Sequence, residues 1–175
     1  MSLLPVGAGA QAAATQLPAA AQIVALVEQS PQLRIDQTIF SSGFDAQTHP
    51  FVDVRNAPEG TIGGYLVPEG AHQGTLDDGT EVLAVPLDSG GSGGVFTQVI
   101  FARKGGAAFA YAGFIDSGGH LAVGVENGTI VAAMPYYGDD SPNCCPKQQI
   151  VRTFTIRGGA LVKLSEKRSD IPKSE

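Results

Sequence analysis

Leu121–Tyr137 reads LAVGVENGTIVAAMPYY, two strand-like runs separated by Asn127-Gly128. A two-residue hairpin turn that matches the twist of its strands needs positive φ at both positions, and Asn-Gly adopts it at little steric cost. The pair therefore predicts an antiparallel hairpin. The same logic works outward. Gly158-Gly159 separates Gln148–Ile156 from Ala160–Leu164, Lys104-Gly105-Gly106 follows Val95–Ala102, and Asp77-Asp78-Gly79 precedes Glu81–Leu87. Leu33–Phe40, Thr61–Val67, Ala107–Ile115, His120–Val125 and Thr129–Tyr137 complete a set of nine strand-like segments. In Val95–Ala102 both alternating faces carry apolar groups, which predicts a central strand.

One helix is expected. Pro18 suits a first turn, the run Ala21–Val27 follows, and Ser30-Pro31 stops it. Its apolar residues are too crowded to form one stripe, so it is expected to pack on a sheet. The fold class is thus mainly β (α+β): an antiparallel meander sheet or a partly open barrel, with an N-terminal helix packed on it. Three regions are expected. Residues 1–17 read as a flexible linker behind the expression leader Met1-Ser2-Leu3, residues 18–165 as a single β-rich domain, and residues 166–175 as a solvated charged tail.

Composition narrows the function classes. An apolar content of 43% suffices for a packed core and argues against a disordered chain. The net charge of −6 lacks the clustered basic face that a phosphate backbone would need, so no nucleic-acid partner is expected. The first charged residue is Glu28, but Pro5, Gln11, Gln16, Pro18 and Gln22 interrupt the stretch before it, so no transmembrane segment is expected there. An Ala/Gly/Gln-rich tether of this kind commonly follows a cleaved export signal. The expected compartment is therefore exported, periplasmic or cell-surface; a cytosolic N-terminus of this composition reads the same.

The most distinctive segment is Gly138–Pro146, GDDSPNCCP. Adjacent cysteines have Cα atoms about 3.8 Å apart, shorter than the roughly 4.4–6.8 Å of an ordinary disulfide. Three readings of Cys144 and Cys145 stand open: a rigid structural turn closed by Pro146, a strained vicinal disulfide, or a reactive or metal-binding thiol. No CxxC or HxxxH accompanies them, so no metal site is assigned. Asp139, Asp140 and Asn143 offer oxygen ligands, but their spacing is not that of a helix-loop-helix calcium loop. Ser89–Gly94, SGGSGG, lacks the Lys-Ser/Thr ending of a phosphate-binding loop and the following helix of a nucleophile elbow. His49, His72 and His120 lie far apart. No cofactor and no catalytic residue is assigned; the binding candidates are Asp116, His120, Asp139, Asp140 and Asn143.

From Glu81 to about Leu164 the chain resembles exported bacterial proteins of unknown function related to the LppP/LprE type of lipoprotein. The residues that carry the resemblance are Val82–Val85, Ser89–Phe96, Asp116, Glu126–Ile130, Pro142–Pro146 and Arg152–Leu161. The Pro-x-Cys-Cys-Pro loop is its specific part. The sequence departs from that pattern at Ser141, where the family tends to Asp, and at Ile115-Asp116-Ser117. The resemblance implies a β-rich fold and an envelope location, with any lipid anchor in sequence removed from this chain; it implies no activity. The function expected is a non-enzymatic cell-envelope module that binds an unknown small ligand or envelope protein, or has a structural role. A small thiol-dependent redox or metal-binding protein using Cys144 and Cys145 is the alternative.

Overall fold

The computed structural model describes residues 16–41, 43–57, 60–138 and 146–171. It is mostly β, with antiparallel strands and one short N-terminal helix. The helix, α1, spans Ala20–Glu28. Pro18 sits just before the N-cap Ala19, whose backbone N–H is capped by Gln22 Oε1 at 2.8 Å. At the other end Ser30 Oγ donates to the Leu26 carbonyl at 2.7 Å, satisfying one orphan acceptor of the last turn.

Eleven strands follow among the described residues: β1 Leu33–Asp36, β2 Phe51–Ala57, β3 Gly60–Leu66, β4 His72–Thr75, β5 Glu81–Asp88, β6 Val95–Arg103, β7 Ala110–Asp116, β8 Ala122–Glu126, β9 Thr129–Tyr136, β10 Gln148–Arg157 and β11 Ala160–Asp170. They form two sheets and do not close into a barrel. A seven-stranded sheet runs β1-β2-β3-β5-β6-β7 with β4 also paired to β5, and a four-stranded sheet runs β11-β10-β9-β8. The single meander sheet is thus divided. After β7 the chain crosses to the second sheet through residues 117–121, where Ser117, His120 and Leu121 donate backbone N–H groups to the carbonyls of Phe96, Gly93 and Val95.

The result is three layers with two cores. Ile23 and Val27 of α1 pack with Val52, Val54, Leu83, Val85, Leu87, Val99 and Phe101 on one face of the seven-stranded sheet. On its other face Val82, Ala84, Ile100 and Ile115 meet Val123, Ile130, Ala132, Met134 and Phe154 of the four-stranded sheet. This explains why β5 and β6 are apolar on both faces: each alternate residue enters a different core.

The turn chemistry holds at every expected hairpin. Asn127 and Gly128 have φ of 47° and 67°, Gly158 and Gly159 have 58° and 79°, and Gly105 and Gly79 are also left-handed. Other boundaries differ from expectation. β1 stops at Asp36 rather than Phe40, because Asp36 Oδ1 accepts from the N–H and Oγ1 of Thr38 and bends the chain out of the sheet. β11 runs on to Asp170, so residues 166–170 are exposed yet paired with β10. Two strands were not expected at all. β2 shows alternating Val52 and Val54, whereas β4 has no apolar side chain and exists because β5 supplies its ladder.

Candidate functional site

The crossover after β7 ends in His120, whose φ of 52° is left-handed. A non-glycine residue there is uncommon and costs conformational energy. Two local constraints hold it. Its N–H bonds to Gly93 O at 3.1 Å, and a Cβ on the preceding Gly119 would lie 3.0 Å from that same oxygen. The Ser89–Gly94 loop therefore acts as a clamp: Ser89 N–H bonds to Gly94 O, and Gly90 N–H to Asp88 Oδ1 at 2.7 Å.

His120 lines an open cleft of about 360 Å³ at one end of the four-stranded sheet, together with Ala133, Pro135, Tyr137, Pro146, Gln149 and Ile171. The strands explain the assembly. Gln149 lies opposite Pro135 in the β9–β10 ladder. Beyond the end of β11, Ile171 N–H bonds to Lys147 O at 3.0 Å. Tyr136 is held under the Arg168 guanidinium, 3.8 Å from its ring centroid, and the following residue, Tyr137, lies at the cleft. Tyr137 and Ile171 remain 39% and 37% exposed, large apolar groups left in water.

The described lining carries no carboxylate, lysine or arginine. Gln149 Nε2 donates to Ser169 Oγ at 3.4 Å, which leaves its carbonyl oxygen as an acceptor toward a ligand. Among the described residues no hydrogen bond orients the His120 ring, and no group of three His, Cys, Asp or Glu side chains is placed to hold a metal ion. The described lining offers an apolar face and a few hydrogen-bonding groups.

Of the residues singled out in the sequence, His120 and Pro146 come together at this cleft. Asp116 does not join them. It is the last residue of β7, exposed, and its carbonyl accepts from Arg152 Nη1 at 3.2 Å. Asp139, Asp140, Asn143, Cys144 and Cys145 lie outside the described residues. Tyr137, Gln149 and Ile171 carried no sequence signal, since each comes from a different strand end and is ordinary in its local context.

No protein-family model, curated protein or solved structure matches the chain. No described helix is long and apolar enough to cross a membrane.

Proposed function

We propose that the chain is a non-enzymatic binding or structural module of the cell envelope, exported or lipoprotein-like, and that it binds its ligand at the His120–Tyr137–Gln149 cleft. The observation that carries this reading is the convergence of Tyr137 and Ile171, both left exposed, on one cleft whose described lining is apolar and polar but uncharged. Exposed apolar groups gathered in one place mark interaction sites more often than groups scattered singly. The resemblance of Glu81–Leu164 to exported envelope proteins supports the envelope location. Titration of ¹⁵N-labelled protein with envelope glycan fragments and lipids is the test. Saturable shifts clustered at His120, Tyr137 and Gln149 are expected, and shifts confined to other faces would refute the assignment.

A second reading rests on one further observation: Tyr137 and Pro146, which flank the segment bearing Cys144 and Cys145, both line the cleft. A small redox or metal-binding protein would then use those thiols. Rapid stoichiometric alkylation of either cysteine in the native protein at neutral pH would favour this reading over the first. A chain two hydrogens lighter than its reduced form would instead identify a vicinal disulfide.

A further inference from the structure

A second face of the molecule combines a terminal strand with an apolar cleft. β1 is the terminal strand of the seven-stranded sheet. Arg55 N–H bonds to Gln32 O at 2.9 Å, and the alternation of an antiparallel ladder then turns Arg34 and Asp36 toward β2. The N–H and C=O of Ile35 face the open side, and neither has a backbone partner among the described residues. An unpaired strand edge is a template for another strand.

Beside this edge lies a cleft of about 520 Å³ whose apolar walls are Val24, Ile35, Phe40 and Pro50, with Glu28 at its margin. Phe40 is 70% exposed, the most exposed large apolar residue described, and Ile39 next to it is 38% exposed. The surroundings are negative. Glu28 sits in the last turn of α1, where the helix dipole is also negative, and Arg34 is engaged by Asp53 through Nε at 3.0 Å. Asp36 and Asp45 are held below the ordinary carboxylate range by hydrogen bonds from Thr38 and from Thr48 and Gln47, so both stay ionised in mild acid. Residues 1–100 contain ten of the chain's seventeen acids but only two of its eleven lysines and arginines.

We propose that the free edge of β1 and the Phe40 cleft together dock an extended basic segment of a partner protein, added as a further strand. Its backbone pairs with Ile35, an apolar side chain fills the space between Val24 and Phe40, and a neighbouring Lys or Arg meets Glu28. Main-chain bonds supply the affinity in this mode and the side-chain cleft supplies the selectivity.

The probe is a capped decapeptide of alternating valine and lysine, titrated into the ¹⁵N-labelled chain. Saturable binding is expected, with the Ile35 amide protected from hydrogen exchange in the complex. Phe40→Ser should weaken binding about ten-fold, as for an anchor at the centre of an interface. Glu28→Lys should also weaken it, while Glu126→Lys, on the other sheet, should leave it unchanged; circular dichroism of each variant checks the fold. Absence of saturable binding, equal binding of a valine–glutamate decapeptide, an unaltered affinity of Phe40→Ser or an unprotected Ile35 amide would each overturn the proposal. So would self-association of the free chain that Phe40→Ser abolishes, since the occupant would then be a second copy.

Discussion

The backbone N–H of Asp77 donates to the carbonyl of Gly128 at 3.3 Å, and a Cβ on Gly128 would lie only 1.8 Å from Asp77 Oδ1. The two residues sit in turns of different sheets, the β4–β5 turn and the β8–β9 turn, so this contact fixes how the sheets meet. Close by, a Cβ on Gly74 of β4 would lie 2.5 Å from that of Val125 of β8, which brings the same two strands together. Both positions exclude a side chain for reasons of packing between sheets.

Gly128→Val is therefore expected to destabilise the protein by about 2 kcal/mol, combining strain at positive φ with the clash at Asp77. Chemical denaturation measures it. Gly128→Ala should regain part of its loss when Asp77→Ala is added, because only the steric share depends on that carboxylate. An additive double mutant would show that the turn conformation alone accounts for the cost.

Ile23 of α1 is fully buried against the seven-stranded sheet. Ile23→Ala is expected to cost about 2–5 kcal/mol, the range for truncating a large aliphatic side chain in a packed core. A loss near zero in a denaturation experiment would mean that the helix does not close this core.

Asp78 links the β4–β5 turn to the β6–β7 connection. Its carboxylate accepts from Thr80 N–H at 2.9 Å, from Thr80 Oγ1 at 3.0 Å and from Lys104 Nζ at 3.0 Å, which pulls its pKa from 3.8 to about 2. A carboxylate with a depressed folded pKa binds protons more readily in the unfolded chain. Its stabilisation is complete above pH 3.8 and is lost as pH falls through about 2. Carboxyl-carbon NMR should find the midpoint of Asp78 near the lower value, and Thr80→Ala should move it upward. An unshifted midpoint in the parent protein would contradict the bonded turn.

His120 offers a test that separates fold from binding. At φ 52° glycine is the better residue, so His120→Gly is expected to leave the melting temperature unchanged or raise it, by up to about 1 kcal/mol of stability. Ligand-induced shifts at the Tyr137–Gln149 cleft should weaken in the same variant. A large drop in stability would instead assign the imidazole a structural role.

Part of the site was legible and part was not. His120 stood out as a titratable residue among turn-formers, and Pro146 as the end of the cysteine loop. Tyr137, Gln149 and Ile171 did not, because the cleft is made by the β9–β10 register and by the one-residue continuation past β11. Neither is written in local composition. The docking face shows the same limit: Ile39 and Phe40 read as the end of a strand, and only the Asp36–Thr38 turn shows that they leave the sheet.

What the sequence determined by itself was local: antiparallel hairpins, whose turns need the positive φ of Asn127-Gly128 and Gly158-Gly159, and a helix ended by Ser30-Pro31. It also determined that β6 lies inside, since both of its faces are apolar. Tertiary structure alone decided that the strands split into two sheets and that polar β4 forms a strand. A crossover such as residues 117–121 carries no periodic signal, and a strand like β4 is held by its neighbour's hydrogen bonds and by close contact at Gly74. Those stabilising terms are long-range, and they exist only once the two sheets have met.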